Sequence, residues 1–289
     1  LDLALLARTS SPSGSAEKNN ASVFAQHPHH IEIIEAFRKV PDPSIIRRLD
    51  IRPDTNIWTP WHRRADLNPF QELLATADMR RNAITVSLKN ERANQWSLAD
   101  HEWGHLLEKK APIERSLFDL SAYLERRGYY LSSYATKNHS ENWSEHSAAF
   151  LGSSRDFLQF VNYAPLRAVP LARAVGRAVE NMEGQLPGSV DPGLLNRLAY
   201  TNERVLPRAI SRLESQMKST DRLEALRAVV LYAALAPEPK LGLLQNAALG
   251  NKFLRPAAYL SMVSRMQSDQ YRLHGYERHR VSDNRRQLS

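Results

Sequence analysis

The feature that most restricts the fold is a pair of histidines four residues apart in the segment SLADHEWGHLLEKK, residues 97–110. Apolar residues recur here at helical spacing, and Ser97 and Asp100 are placed as a capping pair, so the sequence predicts a helix that begins at Ser97. Positions four apart lie about 40° apart around a helix axis, so His101 and His105 point to the same side. Both can bind one metal ion if a second element packs against this face and adds a third ligand.

Composition decides which ligands are possible. The chain has 289 residues, 42% of them hydrophobic, and no cysteine. This length suits one large domain or two smaller ones, and any transition-metal site must use His, Asp and Glu. The longest uncharged apolar run, residues 228–236, is far shorter than the roughly 20 residues that span a bilayer, so no membrane span is expected.

The chain is basic, with a formal net charge of +8 and a sequence pI of about 9.8. Such a charge favours acidic partners, which include acidic proteins, anionic membranes and nucleic acids. Part of the excess lies in residues 271–289, where Arg outnumbers Asp and Glu, and a solvated basic tail is the favoured interpretation. No nucleic-acid-binding motif is present, so nucleic acid is not the expected partner, although the tail leaves it open.

The chain is expected to divide into four parts. Residues 1–26, polar over 8–22, are predicted to be a disordered or linker lead-in, and their start lacks the basic region of an intact signal peptide. Residues 27–155 combine predicted helices at 30–40, 117–127 and 140–151 with predicted strands within 44–54 and 82–90. Residues 156–270 are predicted to be mainly helical, with a capping pair at Asp221 and Glu224, and residues 271–289 form the basic tail.

Glu102 follows the first histidine directly and is expected to lie beside the open coordination position of a bound metal. A carboxylate there can act as general base on a water molecule and then pass the proton to a leaving amine. Gly104, between the histidines, is expected to let the helix pack closely against a neighbour. By chance alone the pattern would occur with a probability of roughly 0.02, so a third ligand is needed to support it.

The segment YATKNHSENWSEHSAAF, residues 134–150, offers the third ligand from four candidates: His139, Glu141, Glu145 and His146. A His-Glu-x-x-His helix followed by a helix with Glu-x-x-x-Glu resembles the gluzincin metallopeptidases. Tyr134-Ala135, with the Tyr seven residues before Glu141, resembles the Tyr-Ala pair of the group that contains the anthrax lethal factor catalytic domain and the Pro-Pro endopeptidases.

This resemblance implies a zinc site with His101, His105 and Glu141 as ligands. It also implies that the phenol of Tyr134 stabilises the oxyanion of the tetrahedral intermediate, and that Glu145 holds a ligand histidine through its other ring nitrogen. Each of these three residues has another interpretation: Glu141 completes a capping box, Glu145 is a solvated helix charge and Tyr134 is a loop aromatic.

The strand predicted in AITVSL, residues 83–88, lies just before the histidine helix, as the edge strand of a zincin sheet does. A peptide could bind there by main-chain hydrogen bonds, which makes Ile84 and Val86 candidate substrate-binding residues. Trp58, Trp61 and His62 could shape a pocket, although packing aromatics are the favoured interpretation.

Together these features predict an α+β fold, with a zincin-like catalytic domain followed by a mainly α-helical region. The expected function is a zinc endopeptidase acting on a protein substrate. The resemblance implies an exported or injected bacterial effector or toxin, although no targeting segment is visible. Two alternatives stay open: a zinc peptidase or amidase acting on cell-wall peptides, and a non-catalytic basic interaction protein with a degenerate motif.

Overall fold

The computed structural model describes residues 28–52, 75–87, 95–125, 131–185, 190–237 and 241–260, which are mostly helical with one small mixed sheet. This confirms the α+β class. The helices and strands are, in chain order, α1 (Pro28–Arg38), β1 (Arg48–Arg52), β2 (Ala75–Asp78), β3 (Ala83–Ser87), α2 (Gln95–Lys110), α3 (Pro112–Leu124), α4 (His139–Leu151), α5 (Ser154–Tyr163), α6 (Pro165–Gln185), α7 (Pro192–Tyr200), α8 (Leu206–Gln216), α9 (Arg222–Leu235) and α10 (Leu241–Gly250).

The parts of the sequence outside these ranges include several predicted features. The lead-in of residues 1–26, the basic tail and the aromatic group of Trp58, Trp61 and His62 all lie outside the described residues. Among the helices that are described, none is long and apolar enough to cross a membrane.

The sheet has the strand order β1-β3-β2, with β3 in the centre. β1 runs parallel to β3, pairing Arg48 with Ala83, and β2 runs antiparallel to it. The turn from β2 to β3 ends at Asn82, whose φ of 52° is in the left-handed region where Asn is more common than most residues. Lys109 of α2 holds this turn by donating to the main-chain oxygen of Met79 at 2.6 Å.

The prediction that residues 83–88 form an edge strand is wrong. Both main-chain sides of β3 pair with neighbouring strands, and the side chains of Ile84 and Val86 are fully buried. A peptide therefore cannot pair with β3 or contact these two side chains. The sequence did not reveal β2 because its four residues, ATAD, lack the alternation by which a strand is recognised.

The histidine helix α2 begins at Gln95, two residues before the predicted start. Ser97 is therefore inside the helix and does not cap it, and Asp100 lies in its second turn. Burial raises the pKa of Asp100 to about 7, against the opposing charge of Arg197 on α7. Asp100 is thus an internal helix residue that faces the C-terminal helices.

Helix α4 packs directly across α2 at Gly104, as the sequence predicts. A methyl group at Gly104 would lie 2.9 Å from Cβ of Ser147 and 3.1 Å from Cα of Ser144. Trp143 also donates from Nε1 to the main-chain oxygen of Gly104 at 3.0 Å. The two helices that carry the candidate ligands are therefore held at a separation that only glycine allows at this position.

We expect Gly104→Ala to lower the free energy of unfolding by about 1–3 kcal/mol, because overpacking forces the two helices apart. Adding Ser147→Gly removes the closest atom and should restore part of the loss. Gly176→Ala is the matched control, since its methyl group would meet no atom closer than 4.0 Å. Denaturant unfolding measures all of these variants, and equal stability of Gly104→Ala and wild type would contradict the packing argument.

The C-terminal helices share one hydrophobic core with the first part of the chain, including Trp103 and Trp143 from α2 and α4, Phe160 from α5 and Leu231 from α9. The domain boundary predicted after residue 155 falls in the first turn of α5 and stays a prediction. Arg197 of α7 donates to the main-chain oxygens of Phe150 at 2.8 Å and Gly152 at 2.5 Å, and so satisfies the C-terminal end of α4.

A buried ion pair joins the end of α3 to the start of α6. Arg167 donates from Nε to Glu125 at 2.6 Å, and the two side chains are 2% and 1% exposed. The other carboxylate oxygen of Glu125 accepts from the main-chain nitrogen of Leu166 at 2.5 Å. Glu125 therefore neutralises a buried charge and also caps the first turn of α6.

Candidate metal centre

Three side chains from α2 and α4 converge on one point. His101 Nε2 lies 3.1 Å from Oε2 of Glu141, and His105 Nε2 lies 3.3 Å from the same oxygen. The ligand atoms of all three residues lie within 4.8 Å of one another, and their side chains are 11–17% exposed. This group could hold a metal ion.

Two of these separations, 3.1 Å and 3.3 Å, match the spacing of ligand atoms around a tetrahedral ion. Bonds of 2.0–2.1 Å at tetrahedral angles place neighbouring ligand atoms about 3.3 Å apart. Each ring nitrogen that faces this carboxylate oxygen also needs a proton or a metal ion between the two atoms, because two lone pairs repel each other. Burial opposes the charge on His101, but hydrogen bonds to Glu141 and Glu145 outweigh it and raise the pKa of His101 to about 10.

Glu141 takes part in a capping interaction and also faces the two histidines. Its main-chain nitrogen donates to Oδ1 of Asn138 at 2.9 Å, which makes Asn138 the N-cap of α4. Its side chain turns toward the histidines, which overcome the effect of burial and lower the pKa of Glu141 to about 2. The cap thus fixes the helix start, and the carboxylate stays ionised beside the two rings.

Glu102 lies in the same helix turn as His101 and is only 5% exposed. Its Oε2 is buried and has no hydrogen-bond partner among the described residues. Burial raises the pKa of Glu102, although the nearby rings of His105 and His101 oppose this. A buried carboxylate oxygen without a partner, next to a candidate ligand set, is suited to accept a proton from a bound water molecule.

Tyr134 lies in a short 3-10 turn over the histidines, with its ring centroid 5.7 Å from that of His101. Burial and the carboxylates of Glu141 and Glu102 raise the pKa of its phenol, so the group keeps its proton and can donate a hydrogen bond. Nζ of Lys137 lies 3.7 Å from the centre of the ring and packs against it.

Glu145 contacts both the ligand set and the loop that carries Tyr134. Its Oε1 lies 3.0 Å from Nδ1 of His101, and its Oε2 accepts from the hydroxyl of Ser132 at 2.6 Å. Ser132 in turn accepts from the main-chain nitrogen of Ala135 at 3.1 Å. Glu145 therefore orients a ligand histidine and holds the tyrosine turn close to it.

The other histidines in the segment 134–150 do not reach the ligand set. His139 is 67% exposed and faces Asp119. His146 is fully buried between the rings of Phe118 and Phe160, and burial with the nearby charge of Arg167 lowers its pKa well below the usual value. Of the four candidates for the third ligand, Glu141 alone is in the group that could hold a metal ion.

Sequence reasoning missed the groups behind His105. Its Nδ1 lies 2.9 Å from the hydroxyl of Ser140, which is 2.5 Å from Oε2 of Glu108. Glu108 also pairs with Arg115 of α3, and Arg115 pairs with Asp119 at 3.1 Å. No pattern marks these residues, because they meet only once the register between α2, α3 and α4 is known.

Comparison of the chain with protein-family models, curated proteins and solved structures finds no match in any of the three. The case for a metal centre therefore depends on the residues themselves and on the geometry in which α2 and α4 hold them.

Proposed function

We propose that this protein is a zinc-dependent endopeptidase, with a zincin-like catalytic domain of the gluzincin type. The observation that carries the proposal is the convergence of His101, His105 and Glu141 within 4.8 Å, next to a buried carboxylate oxygen of Glu102 that has no partner among the described residues. Ligands, base and an oxyanion donor thus lie around one point.

Zinc suits this ligand set better than other metals. Two imidazoles and one carboxylate are a known set for catalytic zinc, which keeps its fourth position open, whereas magnesium and calcium prefer oxygen ligands alone. Bound zinc would supply Lewis acidity, lowering the pKa of a coordinated water and polarising the scissile carbonyl.

Glu102 is the general base of this proposal. Its oxygen without a partner takes the proton from the attacking water, and the same carboxyl then delivers it to the nitrogen of the leaving amine. Burial raises the pKa of Glu102, which brings its basicity closer to neutral pH than that of an exposed glutamate.

Tyr134 is the oxyanion donor. The negative charge that develops on the carbonyl oxygen needs a hydrogen-bond donor already in place, and the phenol keeps its proton because its pKa is raised. The hydrogen bond from the main-chain nitrogen of Ala135 to Ser132 and the contact of Lys137 with the ring hold Tyr134 near the ligand histidines.

The substrate of this proposal is an extended segment of a protein. Because β3 is paired on both sides, a substrate that adds to the sheet must use an outer strand, and among the described strands these are β1 and β2. The net charge of +8 favours acidic substrates. Export or injection of the enzyme as a bacterial effector follows from the resemblance alone.

Metal analysis tests the proposal directly. We expect one zinc per chain in the purified protein, and well below one in His105→Ala, because two of the three ligands do not form a stable site. Wild type should cleave members of a library of extended peptides, and a chelator should abolish the cleavage. Absence of zinc from wild type, or indifference to every peptide, would reject the endopeptidase.

A further inference from the structure

Each ligand histidine uses its second ring nitrogen differently. Nδ1 of His101 faces a carboxylate, Oε1 of Glu145, at 3.0 Å. Nδ1 of His105 instead faces the hydroxyl of Ser140 at 2.9 Å, and a hydroxyl can donate as well as accept. Ser140 alone therefore does not determine which ring nitrogen of His105 carries the proton.

The hydroxyl proton of Ser140 has one clear acceptor. Its oxygen lies 2.5 Å from Oε2 of Glu108, and an ionised carboxylate only accepts hydrogen bonds. Since the hydroxyl has a single proton and donates it to Glu108, it must accept from Nδ1 of His105. Nδ1 then carries the ring proton, and Nε2 keeps the lone pair that a metal requires.

Arg115 supplies the counter-charge of Glu108. It donates from Nη1 to the other carboxylate oxygen of Glu108, and both side chains are largely shielded, at 12% and 17% exposure. Arg115 is itself held by Asp119, one turn further along α3, at 3.1 Å. A charge anchored on α3 thus sets the direction of the hydrogen bond between Ser140 and Glu108.

We propose that Ser140 is a positioning residue of the metal centre, which with Glu108 selects the tautomer of His105 that presents a free Nε2 beside Glu141. The inference rests on the proposed function, because it assigns a task within the same site. Glu145 contacts His101 directly, whereas Glu108 acts on His105 through the hydroxyl of Ser140.

Two measurements on Ser140→Ala test this role. The first is the zinc dissociation constant, found by competition with a chelator, which we expect to rise by about 10- to 100-fold. The second uses ¹⁵N NMR of the metal-free Glu141→Ala protein, which lacks the carboxylate that otherwise faces Nε2 of His105. In this background Ser140 should hold neutral His105 as the Nδ1–H form, and adding Ser140→Ala should remove this preference. A His105→Gln spectrum identifies the resonances.

Two further variants act as controls. Ser140→Thr keeps the hydroxyl and should retain both the affinity and the tautomer. Ser144→Ala removes a hydroxyl one turn further along the same helix that is buried without a partner among the described residues, so it should change neither. Glu108→Gln should behave like Ser140→Ala, because the amide can donate to the hydroxyl and reverse the hydrogen bond.

The tautomer and the zinc content separate the two proposals. An unchanged tautomer in Ser140→Ala overturns the positioning role, whatever the zinc content of the protein. A tautomer shifted by Ser140→Ala, together with the absence of zinc from wild type, supports the role and rejects the endopeptidase. A purely structural role for Ser140 predicts lower stability with the Nδ1–H form retained, which also overturns the inference.

Discussion

Glu102→Gln is expected to lower kcat by about 10²- to 10⁴-fold, the range that loss of a general base produces. Gln has almost the same shape as Glu but cannot take a proton from water. Its amide also places a donor where the structure has an acceptor without a partner among the described residues. Rates on the best peptide of the library, measured under saturating conditions, give the change in kcat.

The zinc content of Glu102→Gln is the control measurement for this experiment. Glu102 contributes no atom to the group of His101, His105 and Glu141, so Glu102→Gln should keep one zinc per chain with nearly unchanged affinity. A variant that loses zinc would show that Glu102 is structural. A variant that keeps both zinc and full activity would end the general-base mechanism, while leaving the metal centre intact.

Arg167→Met is expected to lower the free energy of unfolding by about 3–5 kcal/mol. The variant leaves the carboxylate of Glu125 buried without its counter-charge, although Met fills much of the space. Glu125→Gln with Arg167→Met should recover most of the loss, because the amide oxygen can still accept from the main chain of Leu166 and no buried charge remains. Denaturant unfolding of wild type, single and double variants measures the difference.

The pH dependence of Arg167→Met has a definite sign. Burial already raises the pKa of Glu125 against the charge of Arg167, and removal of that charge raises it further. A carboxyl with a raised pKa in the folded state binds more protons there than in the unfolded state, so stability falls as pH rises. The variant should be less stable at pH 8 than at pH 5. A smaller pH effect is expected in the double variant, and equal pH profiles would show that Glu125 is not the group responsible.

The part of the candidate metal group that could be predicted from the residues alone depends on local geometry. Helical spacing alone places His101 and His105 on one face, and the N-cap at Asn138 fixes where α4 begins and hence where Glu141 lies. The choice of Glu141 as the third ligand, with Tyr134 beside it, came from the resemblance to the gluzincins, which the spacing of these residues carries. In each case a short stretch of chain carries all the information needed.

The features that the sequence did not predict depend on how distant elements pack. β2 is too short to show a period, so the central position of β3 could not be recognised. α2 begins before its apparent cap at Ser97, because packing extends the helix beyond the local capping pattern. Ser140 and Glu108 are ordinary polar residues until the register between two helices brings them together.

The C-terminal helices do more than follow the part of the chain that carries the candidate ligands. Arg197 binds the last carbonyls of α4, and its charge acts on Asp100 of α2, so one side chain from α7 reaches both helices that carry the ligands. A fragment trimmed to residues 27–155 would lose this clamp and expose the apolar faces that meet α5 and α6. The smallest part of the chain that can hold His101, His105 and Glu141 in place is consequently larger than the segment these residues occupy, and sequence changes far from the histidines can alter their geometry.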